Sequence, residues 1–192
     1  MSDNLAGQTY NGGDWDAFVA AFDPTGKQKW VNLFGTFGED FAKAVTTAGR
    51  GNLYVAGKTA EDLGGRTHNG GRSDGFVAKF DGSGNQTWVR LLGTSLDEVG
   101  KAVTTDGAGD LYVAGFTEKD LGGRSHNGGE KDGFVAKIDG TGERQWVRLV
   151  GTSGLDMAKG VTTDGDGTIY VAGQTAGNLG EDTNHGYDDG FV

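Results

Sequence analysis

Short runs of alternating apolar and polar side chains succeed one another along the chain, with clusters of glycine, aspartate and asparagine between them. Val99 to Thr105 sets Val99, Lys101 and Val103 against Gly100, Ala102 and Thr104, and Leu111 to Thr117 sets Leu111, Val113 and Gly115 against Tyr112, Ala114 and Phe116. A period of two rich in β-branched and aromatic residues predicts strands. Between them Asp106-Gly107-Ala108-Gly109-Asp110 predicts a hairpin turn. Gly133 to Ile138 places Phe134, Ala136 and Ile138 on one face, Gln145 to Val150 sets Trp146 opposite Val147, and Asp139-Gly140-Thr141-Gly142 turns from one to the other. We letter these four strands A to D. The B–C connection, Lys119 to Lys131, is long, polar and glycine-rich, and it lacks helical periodicity.

The whole pattern recurs. Trp30, Trp88 and Trp146 are 58 residues apart, and each follows the phrase D-[AG]-F-V-A-x-[FI]-D at Asp16 to Asp23, Asp74 to Asp81 and Asp132 to Asp139. A fixed period of this length predicts stacked modules. Four antiparallel strands with both faces partly apolar need cover on two sides, which describes the blades of a β-propeller. The fold expectation is therefore all-β, with a C–D hairpin in residues 15–34, full blades in 41–92 and 99–150, and an A–B hairpin with a truncated C strand in 157–192. The tryptophans are expected between blades, where Trp88→Ala would cost about 3 to 5 kcal/mol.

About three blades fall short of the roughly 4 to 8 with which propellers close. Two completions follow: further blades of a longer parent chain, or a homodimer forming a six-bladed ring. In the dimer the hairpin Asp16 to Phe34 would complete the partner's Met157 to Thr175 hairpin, with Asp189 to Val192 competing for the strand position of Asp16 to Val19.

Composition removes several classes of function. A net charge of −10 and a pI near 4.6 give the surface the wrong sign for nucleic acid or an anionic membrane. The absence of cysteine excludes disulfides, thiolate metal sites and cysteine nucleophiles. No apolar stretch approaches the roughly 20 residues of a membrane span, and Met1-Ser2 runs directly into repeat-like Asp3-Asn4-Leu5 without a signal-peptide pattern. With 38 glycines but one proline and no triplet period, glycine serves as turn punctuation.

The stretches Asp74 to Asp81, Gly84-Asn85 with Trp88, Leu92-Gly93-Thr94, and Gly51-Asn52-Leu53-Tyr54-Val55-Ala56-Gly57 with Thr59 resemble the bacterial β-propeller repeat family SBBP. The resemblance runs along essentially the whole chain. It implies a propeller domain of an extracellular or cell-envelope protein, and it supplies no catalytic residue.

Three constellations are candidates for function. The first is the B–C loop, Leu63 to Gly71 and again Leu121 to Gly129, where Arg66, His68, Asn69, Arg124, His126 and Asn127 offer donors to a ligand. The alternative is that these residues only build turns; Gln8 and Tyr10 replace Arg66 and His68 in the first copy, and His185 is displaced in the last. The second is the acidic turn Asp164-Gly165-Asp166-Gly167-Thr168. An EF-type calcium loop would place Glu at its twelfth position, where Thr175 stands, so a hairpin turn is the better account and no metal or other cofactor is expected. The third pairs Asp40 with Lys43, Glu98 with Lys101, and Asp156 with Lys159 at the start of each A strand. These charges would ring one mouth of the central channel and hold an anion, or else form interblade salt bridges. No nucleophile–base, HExxH, GxSxG or phosphate-loop motif occurs. The expected function is a non-catalytic scaffold or binding module with a carbohydrate or protein ligand, and the competing expectation is a lectin-like or polysaccharide-active propeller.

Overall fold

The structure, a computed structural model, describes Leu5 and residues 7–164, 166–180, 184 and 189–191. Gly165, His185 and Val192 lie outside the described residues. Strands run β1 (Ala17–Phe22), β2 (Gln28–Phe34), β3 (Asp40–Ala48), β4 (Asn52–Thr59), β5 (Asp74–Phe80), β6 (Gln86–Leu92), β7 (Glu98–Thr105), β8 (Leu111–Thr117), β9 (Asp132–Ile138), β10 (Arg144–Val150), β11 (Asp156–Thr163), β12 (Ile169–Thr175) and β13 (Asp189–Phe191). A single turn of 3-10 helix at Gly49–Gly51 accompanies them, and the described residues include no α-helix. They form four antiparallel sheets, β1-β2, β3-β4-β5-β6, β7-β8-β9-β10 and β11-β12-β13. The fold is all-β with blade-like sheets that do not close into a ring.

Neighbouring sheets meet through their first strands, so that β3, β7 and β11 lie side by side. Every seam carries the same backbone hydrogen bond from the first residue of an A strand to the residue ahead of the preceding C strand. Asp40 N donates to Trp15 O at 2.8 Å, Glu98 N to Ser73 O at 2.9 Å and Asp156 N to Lys131 O at 2.8 Å. At the far ends of these strands Thr105 Oγ1 donates to Thr47 O at 3.1 Å and Thr163 Oγ1 to Thr105 O at 3.3 Å.

The C-strand phenylalanines fill the core. Phe76, Phe80 and Phe134 are fully buried, and Phe76 lies over Gly57 of strand B, where any Cβ would come within 2.8 Å of its ring. Phe34 of the preceding hairpin meets Phe76 edge-on at 5.8 Å and Phe80 at 5.1 Å. The tryptophans Trp30 and Trp88 lie between blades as expected, but only partly buried. Trp30, Trp88 and Trp146 are half-buried, the first two at the outer rim against the C–D turn of the next blade. Trp30 Nε1 donates to Gly82 O at 3.1 Å, and a Cβ on Gly142 would stand 3.2 Å from Trp88 Cδ2.

Candidate functional site

Each blade seam buries carboxylates. Asp40, Asp74, Glu98, Asp132 and Asp156 are at most 1% exposed, and the start of a C strand faces the start of the following A strand: Asp16 with Asp40, Asp74 with Glu98, Asp132 with Asp156. A Gly-Thr step ahead of the A strand organises each pair: Phe34-Gly35-Thr36 in the first copy, Leu92-Gly93-Thr94 in the second and Val150-Gly151-Thr152 in the third. Thr36 donates its N–H (2.6 Å) and hydroxyl (2.8 Å) to Asp40, and Thr152 does the same to Asp156 at 2.6 and 3.0 Å. Glu98 accepts from Thr94 N at 2.5 Å and from the Thr94 and Thr117 hydroxyls at 2.7 Å each. The preceding glycine has no side chain because the carboxylates occupy that space: a Cβ at Gly151 would run into Asp132 and come 3.2 Å from Asp156 Oδ2.

Burial, with a contribution from the facing carboxylate, raises the pKa of Asp40, Glu98 and Asp132 above the ordinary carboxylate range. The Oδ1 atoms of Asp16, Asp40, Asp74, Asp132 and Asp156 have no hydrogen-bond partner. Among the described residues no group of three or more His, Asp or Glu has metal-binding geometry.

The B–C loop residues serve these seams. Asn69 donates its backbone and side-chain N–H groups to Asp74 Oδ2, both at 2.8 Å, and Asn127 binds Asp132 Oδ2 at 2.6 and 3.0 Å. His68 Nδ1 accepts from Gly70 N at 3.3 Å, while its Nε2 stands 3.7 Å from Asp74 Oδ1; His126 repeats this with Gly128 (3.2 Å) and Asp132 (3.9 Å). Arg66 Nε donates to Val89 O and Arg124 Nε to Val147 O, at 3.2 and 3.3 Å. The structure thus brings all six residues into contact with their own blade, where they clasp the loop.

The acidic turns are likewise internally satisfied. A single aspartate opens each and accepts two backbone N–H groups: Asp81 from Ser83 and Asn85 at 2.8 and 3.0 Å, Asp164 from Asp166 and Thr168, both at 2.9 Å. Hydrogen bonds from Asn85 hold Asp81 below the usual carboxylate range, and one from the Thr168 backbone does so for Asp164.

The charges expected to share one channel mouth separate. Asp40, Glu98 and Asp156 turn into the seams, while Lys43, Lys101 and Lys159 occupy β-bulges, the register shifts falling between Ala42 and Ala44, Gly100 and Ala102, and Ala158 and Gly160. A bulge leaves one residue out of the ladder and re-aims its side chain. Lys43 reaches over the Phe41 ring (4.6 Å), Lys101 over Phe116 (5.5 Å) and Lys131 over Phe116 (4.7 Å). The region's ion pairs run elsewhere: Lys58–Glu39 at 3.9 Å, Arg72–Asp97 at 2.9 Å and Lys131–Glu118 at 3.6 Å. Among the described residues none reaches Lys43, Lys101 or Lys159. Burial, then repulsion from Lys43, Lys159, Lys131 and Lys58, holds Lys101 below its ordinary basicity.

Sheets of four antiparallel strands that meet through their first strands, repeated at fixed spacing, define a protein built of propeller blades. The SBBP β-propeller repeat matches residues 87–121 and 145–181, so the chain carries SBBP repeats. Regulatory protein FlaEY of Caulobacter vibrioides is 29% identical over 181 residues, covering 86% of this chain and 19% of that protein. An uncharacterized WD repeat-containing protein of Acanthamoeba polyphaga mimivirus is 22% identical over 185 residues, covering 77% of this chain and 13% of that protein. The chain spans less than a fifth of the length of these curated relatives.

Proposed function

We propose that this chain is a non-catalytic β-propeller scaffold completed by further blades of its own type. One observation carries the reading. Phe18, Phe22 and Val45 are 56%, 60% and 59% exposed, whereas Phe76, Phe80 and Val103, 58 residues later in the same roles, are 0%, 0% and 8% exposed. Phe18 and Phe22 with Val45 line an apolar cleft of about 310 Å³ between β1 and β3. In the next repeat, strands A and B of the same blade occupy the corresponding space. The occupant of the cleft is therefore an A–B hairpin of this repeat, supplied by further repeats of the same polypeptide or by a second copy. The polar constellations of the loops clasp their own blade and the backbone bonds at the seams join neighbouring blades, which supports a structural role. Placement at the cell exterior is part of the proposal and rests on the resemblance of the repeats alone.

A chimera in which a second copy of residues 98–131 replaces residues 1–15 tests the reading, because it supplies the absent hairpin and its B–C loop in register. The melting temperature is expected to rise and binding of a dye specific for exposed apolar surface to fall. Unchanged dye binding and no gain in stability would overturn it.

A further inference from the structure

A cavity of about 390 Å³ opens between the second and third sheets, with Lys43, Lys58, Lys101 and Lys131 on its walls beside Arg72 and the Phe116 ring. This volume lies in the range of small-molecule sites. Two carboxylates, Glu39 and Asp97, also line it, but each is engaged, with Lys58 and Arg72 respectively. Lys43 and Lys101 therefore converge without a counter-charge, in a protein whose net charge is −10. Chance surface lysines do not have this arrangement. Lys43, Lys101 and Lys159 are the bulged residue at one repeat position in three successive A strands, and like charges gathered together are costly unless something negative joins them.

We propose that this cavity binds a compact multivalent anion of the oligophosphate type, held by Lys43 and Lys101 with Lys131 alongside. The acidic surface selects the size of the ligand. A long polyanion would have to lie along negatively charged flanks and be repelled, whereas a small one is drawn into a locally positive cleft. The assignment rests on the lysine geometry and is independent of how the blades are completed.

Titration calorimetry of the intact chain with inorganic tripolyphosphate at low ionic strength tests it. One saturable site is expected, weakening as salt is added. The Lys43→Met/Lys101→Met double variant should bind at least tenfold more weakly. The Lys27→Met/Lys29→Met variant loses the same charge outside the cavity and should bind within twofold of the parent. The anion-free melting temperature of the double variant should equal or exceed that of the parent, because like-charge repulsion is relieved. If the double variant fails to fold, Lys43→Met alone, at an exposed position, is expected to weaken binding at least threefold. Absence of saturable binding to the parent, equal loss in the two double variants, or heparin binding as tight as that of tripolyphosphate would each overturn the proposal.

Discussion

Phe76→Ala and Phe18→Ala remove the same side chain from the same repeat position in two different surroundings. Phe76 is fully buried, between Gly57 of its own blade and Phe34 of the preceding one. Burial of about 150 to 250 Å² of aromatic surface at about 25 cal/mol per Å² sets an upper bound of about 4 to 6 kcal/mol. Measured Phe→Ala losses of about 3 to 5 kcal/mol include the cavity left behind, so we expect about 4 kcal/mol at Phe76. Phe18 is 56% exposed, so less than half of that transfer energy is at stake and no closed cavity forms; about 1 to 1.5 kcal/mol is expected. Urea unfolding followed by tryptophan fluorescence, under conditions where light scattering shows monomer, separates the two. With a slope near 2 kcal/mol per M, the midpoint should fall by about 2 M for Phe76→Ala and by well under 1 M for Phe18→Ala. Equal shifts, or a Phe76 loss below about 1 kcal/mol, would refute the packing of blade on blade.

The buried carboxylates predict an unusual pH profile. Because Asp40, Glu98 and Asp132 are raised by burial in the folded state, their contribution is greatest below the unfolded values and is lost as pH rises through the folded ones. Thermal melts should therefore show stability rising as pH falls from neutral toward the ordinary carboxylate range. Below that range it should fall, as the lowered Asp81, Asp139 and Asp164 begin to be protonated. Glu98→Gln should fold and flatten the rise on the neutral side, and a parent whose stability falls steadily from pH 7 downward would contradict the seam electrostatics. Gly71 sits at φ +69° with its missing Cβ aimed at the backbone carbonyl of Leu96, so Gly71→Ala should cost at least about 1 to 2 kcal/mol by urea titration, while Gly107→Ala, with open space around it, should cost about 1 kcal/mol or less.

The fold was legible because a repeat displays the same alternation several times, and a hairpin is a local object: Asp106 to Asp110 and Asp139 to Gly142 turn where the alternation stops. The seams were not legible. Asp74 and Glu98 look like solvated strand ends until the next blade covers them, and burial by a neighbour 24 residues away leaves no mark in a period-two pattern. The Gly-Thr step ahead of each acidic residue was a signal, since a threonine four residues before a carboxylate with a bare glycine between blades is a clasp. The B–C residues Arg66, His68 and Asn69 suggested binding by their chemistry, but their donors turn toward Val89 and Asp74. The lysines were visible, yet their convergence depends on bulges at Lys43, Lys101 and Lys159 that hydrophobic alternation does not encode. The tryptophans drew attention by size, but Trp30 and Trp88 sit half-buried against the turn of the next blade, and Phe76 and Phe80 take the interior.

Stacking of successive sheets is tested most directly by proton–proton cross-relaxation between the Trp88 indole and the Hα atoms of Gly142 in selectively labelled protein. The account predicts strong cross-peaks, together with their counterpart between Trp30 and Gly84, where a Cβ would come within 2.7 Å of the indole. Their absence, with cross-peaks from each indole confined to its own sheet, would contradict it.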